Sequence, residues 1–245
     1  MNRFATLPIV LALVVAAASA SCAQPQTLDP PRSDSFAAAR TRMVQEHIAA
    51  RGVRDDRVLA ALRDVPRHLF VPPDLQERAY DDAPLPIGHQ QTISQPYIVA
   101  LMTELVRPQS TDRALEIGTG SGYQAAVLSR VVSHVYTIEI VEPLARDAEQ
   151  RLKTLGFDNV TVRIGDGYAG WPEHAPFDIV MVTAAPDHVP EPLVAQLKAG
   201  GRLVIPVGPI YDRQELRLIE RDASGALRTT SVAPVAFVPL RRSRG

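Results

Sequence analysis

The sequence predicts an α/β fold: a Rossmann-like, doubly wound, mostly parallel sheet, with an α-rich layer before it and an antiparallel hairpin after it. Three observations carry this. Ala114-Leu115-Glu116-Ile117 is a short apolar run containing one acid, and it breaks into Gly118-Thr119-Gly120-Ser121-Gly122 before the helix-forming stretch Tyr123-Gln124-Ala125-Ala126-Val127-Leu128. That pattern reads as strand, tight turn, helix, with glycines where the backbone needs positive φ. Phe177–Val182 is a continuous apolar run of the kind that a parallel strand buried on both faces requires. Between and around these runs, strand patterns alternate with helical ones, which implies a parallel sheet covered by helices on both sides.

The first residues read differently. Met1-Asn2-Arg3 carries one positive side chain, an apolar run follows, and Ala18-Ser19-Ala20 is a small-residue site, so 1–22 resembles a secretory signal peptide. Cys22 stands where a lipoprotein cysteine would, but Ser19 occupies the position where a leucine-like residue is usual. Residues 23–35 are polar and Pro-rich and read as a linker. An upstream start that is not part of the folded protein is the alternative, with Met43 as the natural beginning. The expected domain spans 36–245.

Within it, Ser35 or Asp34 is placed to cap a helix running to about Ala50, ended by Gly52. Asp55-Asp56 caps a second helix with Val58, Leu59 and Leu62 on one face. The stretch 81–86 reads as extended, and 87–96 as a polar loop entering a helix that carries Ile98, Leu101, Met102 and Leu105. Ser94 has the position of an N-cap there, with Pro96 in the first turn. The expected strands are Arg113–Ile117, 134–138, Val160–Ile164, Phe177–Val182 and 202–207. Helices are expected from the glycines to about Val132, over 142–155 and over 191–198. Gln214–Arg221 and 228–235 form a hairpin about Ser224-Gly225.

Composition excludes several classes. The 245 residues carry a formal charge of −1, with no basic excess to hold nucleic acid. Cys22 is the only cysteine, so there is neither a disulfide framework nor a thiolate zinc site. None of the six histidines pairs with another at metal-ligand spacing, and no metal is implied.

The candidate site gathers at the carboxyl ends of the strands, where open α/β sheets bind ligands. The glycines depart from G-x-G-x-x-G, because Tyr123 stands in place of the third one. Glu116 just before the turn suits a ligand with positive charge, such as an ammonium or sulfonium, better than a pyrophosphate. Glu139 ends the second sheet strand about twenty residues beyond Gly118, placed to accept both hydroxyls of a ribose. Asp166, between Gly165 and Gly167, is either an acceptor for an adenine amino group or an ordinary turn residue. Gln90-Gln91-Thr92-Ile93-Ser94 is a run of uncharged donors and acceptors able to line a substrate pocket, and Thr183-Ala184 leaves the fourth strand at the same edge.

Leu115-Glu116-Ile117-Gly118-Thr119-Gly120-Ser121-Gly122-Tyr123-Gln124 resembles the first cofactor motif of class I S-adenosylmethionine-dependent methyltransferases. More closely, the chain resembles the protein-L-isoaspartate O-methyltransferase family. That likeness rests also on Pro66-Arg67-His68-Leu69-Phe70-Val71, Thr92-Ile93-Ser94-Gln95-Pro96-Tyr97, Gly165-Asp166-Gly167, the run from Leu197 to Gly208, and Pro234 to Leu240. It covers about 43–240. Gln90 stands where many members have Gly, and Ala199 where many have Pro. The resemblance implies methyl transfer from S-adenosyl-L-methionine to the α-carboxylate of L-isoaspartyl, and some D-aspartyl, residues in damaged proteins. It implies Ser94 as the active-site hydroxyl and cofactor contacts from Gly118, Gly120, Glu139 and Asp166; Glu116 and Gly167 join them, and Thr92, Ile93, Thr183 and Ala184 line the substrate pocket. A monomer is expected; cofactor supply points to the cytoplasm, and 1–22 to an exported location. A methyltransferase for another carboxylate, or an exported binding protein of the same fold, are the competing expectations.

Overall fold

The computed structural model describes residues 1, 34–209 and 212–242, so the signal-like segment, Cys22 and nearly all of the Pro-rich linker lie outside the described residues. Ser35–Gly245 forms one compact unit.

Helix α1 (Ala37–Arg42) is shorter than the sequence pattern suggests. It widens into a π-type turn over Met43–Ile48 and tightens into a 3-10 turn over Ala49–Arg51, ended by Gly52 at φ 104°. Neither Ser35 nor Asp34 is the N-cap. Phe36 holds that place without a side-chain cap, its ring stacked on His68 with centroids 4.4 Å apart, so packing rather than capping starts this helix. In α2 (Asp56–Asp64) the expected cap is present: the Asp55 carboxylate accepts from the Arg57 N–H at 2.9 Å. Val58, Leu59, Ala61 and Leu62 face the core. Burying such side chains contributes roughly 1.5–3 kcal/mol for each large one.

The polar stretch expected as a loop is instead an antiparallel hairpin, β1 (Leu85–Gly88) with β2 (Gln91–Ile93). Its two-residue turn puts His89 at φ 50° and Gln90 at φ 59°. Turns of this type match the twist of the strands and normally carry Asn or Gly, which is why His-Gln gave no hairpin signal. Helix α3 (Pro96–Leu105) follows. Its N-cap is Gln95 rather than Ser94, and Asp82 supplies the capping carboxylate from a distance, its Oδ1 accepting from the Tyr97 N–H at 3.2 Å.

Then the sheet begins: β3 (Arg113–Ile117), α4 (Tyr123–Ser129), β4 (His134–Glu139), α5 (Glu142–Thr154), β5 (Val160–Ile164), β6 (Phe177–Val182), α6 (Glu191–Ala195), β7 (Leu197–Val207), β8 (Gln214–Arg221) and β9 (Leu227–Val235). The strand order is β5-β4-β3-β6-β7-β8-β9, parallel from β5 to β7 and antiparallel for the last two pairings. Two helices stop earlier than expected. The one after the glycines ends at Ser129, with Val131 and Val132 buried in the following turn. The one expected over 191–198 ends at Ala195, because Leu197 already pairs with Phe177 and the Lys198 ammonium holds the Asp178 carboxylate at 2.6 Å.

This order places the site. From β3 the chain winds outward through β4 to β5, then returns to lay β6 on the other side of β3. The reversal opens a crevice at the carboxyl end of β3.

Candidate active site

A cleft of about 740 Å³ occupies that crevice. Its floor is the end of β3 and the glycine turn, where Gly118, Gly120 and Gly122 have φ of 98°, 53° and 91°. Gly118 admits no side chain: an added Cβ would stand 2.5 Å from the Thr183 Oγ1. That hydroxyl donates to the carbonyl oxygens of Ile117 and Gly118, at 3.0 and 2.7 Å, and so straps the end of β6 to the turn. Gly167 is equally constrained, since a Cβ there would meet the Ile117 Cγ2 at 2.3 Å.

Glu139 stands at the end of β4 on the cleft wall. Its Oε2 accepts from the Gly120 N–H at 2.8 Å and its Oε1 from the Val141 N–H at 2.9 Å. One carboxylate therefore ties the glycine turn to the start of α5. Each oxygen keeps a further acceptor position, enough for a pair of vicinal hydroxyls.

Glu116 lies elsewhere than its place in the sequence suggests. It is fully buried beneath the cleft and does not line it. The Thr137 hydroxyl donates to its Oε2 at 2.5 Å and is itself paired with the Thr119 hydroxyl at 2.7 Å, while its Oε1 has no partner. Burial pushes its carboxyl up to about 8; the Thr137 hydrogen bond opposes this and the charge of Glu139 adds to it. The glycine turn thus rests on a buried carboxyl through two threonine hydroxyls. Asp166 also stays off the cleft lining. Its Oδ1 accepts from the Tyr168 N–H at 2.9 Å and starts the 3-10 turn Gly167–Ala169, which leaves Gly167 on the wall.

Ser94 faces the cleft opposite the glycines, together with Thr92 and Ile93. A second, adjoining groove of about 970 Å³ runs from Pro84 and Ile98 to Phe237. Thr92, Ser94, Thr183 and Val238 line both cavities, so Ser94 stands where they meet. Ala184 lines the first cavity only.

Several lining residues carried no signal of their own. Tyr123 and Gln124, part of the cofactor motif but not singled out as site residues, are on the wall, as are Ile138, Ile140 and Val141. The chain after β9 closes the far side. Ala185 bridges Pro239, with the Ala185 N–H donating to the Val238 carbonyl at 2.8 Å and the Leu240 N–H to the Ala185 carbonyl at 2.9 Å. The apolar run Val235-Ala236-Phe237-Val238, reaching beyond the hairpin, was the available hint that this segment packs against something.

A family model described as protein-L-isoaspartate(D-aspartate) O-methyltransferase matches residues 38–245. The chain belongs to that family. A Polaromonas relative called protein-L-isoaspartate O-methyltransferase 2 is 60% identical over 190 residues, covering 78% of this chain and 90% of its own. A solved structure called protein-L-isoaspartate O-methyltransferase is 32% identical with a TM-score of 0.73; the match covers 82% of this chain and 65% of that one, just under two thirds. A Plasmodium falciparum structure described as a protein of this kind in complex with S-adenosyl-L-homocysteine is 26% identical with a TM-score of 0.71, over 83% of this chain and 99% of its own. Membership in the family accounts for the α-rich layer, the parallel sheet and the terminal antiparallel strands together.

The site fits S-adenosyl-L-methionine. The glycine turn leaves its backbone bare and the Glu139 carboxylate offers free acceptor positions beside it, which suits a ribose. No cluster of three or more His, Cys, Asp or Glu able to hold a metal occurs among the described residues, nor does any helix there have the length and apolarity to cross a membrane.

Proposed function

We propose that this chain is a protein-repair enzyme that methylates the α-carboxylate of L-isoaspartyl residues, and of some D-aspartyl residues, in damaged proteins. The observation that carries the reading is the position of Ser94 at the junction of two cavities. One fits the methyl donor, and the other is an open groove with the apolar walls Ile98, Val235 and Phe237 that suits a length of polypeptide.

When bound, S-adenosyl-L-methionine supplies an activated, electrophilic methyl group. Glu139 would hold its ribose, and the backbone of Gly118 and Gly120 would lie against it. The acceptor carboxylate is already ionised at neutral pH, with an ordinary pKa of about 4, so the reaction needs no general base. That agrees with a cleft whose wall carries no histidine and whose one lining carboxylate, Glu139, is held by the Gly120 and Val141 N–H groups. Ser94 donates a hydrogen bond to the acceptor carboxylate and fixes its orientation; its hydroxyl makes no hydrogen bond to the described residues and so is free to do this. Thr92 and Thr183 flank it. Orientation of this sort contributes about 7–11 kcal/mol in favourable systems. The segment Val238–Leu240 and the hairpin β1–β2 screen the reacting atoms from water.

A cytoplasmic location is supported by cofactor supply; mass spectrometry of the mature amino terminus in each cell fraction tests it, together with the fate of residues 1–22. The function itself is tested by transfer of labelled methyl to an isoaspartyl peptide beside its aspartyl twin. Selective labelling of the first is expected, and equal labelling of both would overturn the assignment.

A further inference from the structure

Arg67 does not line the cleft, yet it touches both halves of it. It lies in the 3-10 turn Arg67–Phe70 and is wholly buried. Its Nε donates to the Ala79 carbonyl at 2.7 Å and its Nη2 to the Ser94 carbonyl at 2.8 Å. Its guanidinium carbon is 4.8 Å from the centre of the Tyr123 ring. It forms no ion pair with a carboxylate among the described residues, and its Nη1 and the Tyr123 hydroxyl are both buried without a well-formed partner. A buried cation held mainly by carbonyls and a ring is an expensive way to fill space; an apolar side chain of the same volume would serve stability as well or better.

Its neighbours indicate what it does. Ser94 is one of the residues that line both cavities. Tyr123 is the first residue of α4, directly after the glycine turn, and lines the cleft. On the other flank of Ser94, Asp82 holds the next residues: its Oδ2 and its carbonyl oxygen accept from the Gln95 Nε2 at 2.8 and 3.0 Å, and its Oδ1 caps Tyr97. Arg51 secures Asp82 in turn, at 2.7 Å. The Ser94 carbonyl is thus held by Arg67 and the residues after it by Asp82, while the Ser94 hydroxyl is left open to the cleft.

We propose that Arg67 is a positioning residue for the Ser94 hydroxyl, its guanidinium holding the Ser94 carbonyl while it lies over the Tyr123 ring, so that the Ser94 segment and the cofactor turn keep a fixed separation. This rests on the role given to Ser94 above. The geometry needs a planar fork that spans two carbonyls and lies over a ring, which an ammonium cannot do.

The test uses the full chain, with Arg67→Lys, Ser94→Ala and the double variant assayed on an isoaspartyl peptide. Arg67→Lys is expected to lower kcat by about 10- to 100-fold, the scale of an ångström-level misplacement, while the Kd for S-adenosylhomocysteine changes less than about threefold. In the Ser94→Ala background the same substitution should lower kcat by less than about threefold, because the group it positions is gone. An equal loss in both backgrounds, or a loss of Tm with kcat intact, would make Arg67 merely structural and overturn the proposal. An unchanged kcat in Ser94→Ala alone would instead remove the role of Ser94, a result visible without Arg67 being touched. If the lysine variant does not fold, Arg67→Gln, which keeps one amide donor and removes the buried charge, is read by the same measurements.

Discussion

Replacing Glu139 by Gln separates two functions that one carboxylate combines. In the wild-type chain its oxygens accept from the N–H groups of Gly120 and Val141 at 2.8 and 2.9 Å. Glutamine keeps one acceptor oxygen and turns an NH₂ toward the other donor. One charge-assisted hydrogen bond is lost, about 1.5–3 kcal/mol, and for a chain of this size that lowers Tm by roughly 3–12 °C. The ribose loses a charged acceptor as well, another 1.5–3 kcal/mol or so, which raises Kd by about 10- to 150-fold. Calorimetric titration with S-adenosylhomocysteine, held well below the variant's Tm, measures the second effect free of the first. A Kd within about threefold of wild type, with Tm lowered, would mean that Glu139 only staples the turn to α5, and the assignment of the ribose site would fall.

Ser94→Ala should lower kcat on an isoaspartyl peptide by at least about tenfold while unfolding free energy stays within about 0.5 kcal/mol, since Gln95 and not Ser94 occupies the N-cap; a large loss of stability in denaturant melts would refute this. Gln90→Gly removes an exposed residue from φ 59° and should stabilise the chain by about 1 kcal/mol, seen as a higher urea midpoint; a lower midpoint would contradict it. Gly167→Ala drives a methyl into Ile117 and should cost about 1–3 kcal/mol and weaken cofactor binding in the same titration. Glu116 makes stability depend on pH. Its carboxyl is raised from 4.5 to about 8 in the folded chain, so the folded state binds a proton that the unfolded state has released. The stabilisation is complete below about pH 4.5 and is lost as pH rises toward 8. Glu116→Gln should flatten that slope in pH-dependent melts; an unaltered slope would assign it to other groups.

Much of the fold was legible because its signals are local. The strands β3 and β6 announce themselves as largely apolar runs and β5 as an alternation of apolar and polar residues, and the glycine turn and Glu139 lie within a single strand–turn–helix–strand unit. What escaped was set by contacts distant in sequence. No property of 81–96 tells that Asp82 caps α3 or that Arg67 grips the Ser94 carbonyl, so the local pattern favoured Ser94 as the cap. The β1–β2 hairpin was hidden because His89 and Gln90 hold positive φ without the residues that usually do so. Glu116 was legible as an acid at a strand end, but its burial under Thr137 depends on which way the strand packs. The irregular helix at 37–51 was concealed for a similar reason, since the ring of Phe36 on His68, rather than a polar cap, starts it.

The wall formed by Val238, Pro239 and Leu240 bears on how the protein comes into being. The glycine turn and Glu139 emerge from the ribosome long before these residues do, and a domain generally folds as a unit once its parts are present. A nascent chain can build β3, β4 and β6 and present a bare turn, but the crevice stays open on one flank until Ala185 finds its late partner. An unfinished chain therefore lacks one wall of the cleft. A cut after Val235 would remove that wall while leaving all seven strands of the main sheet in the chain.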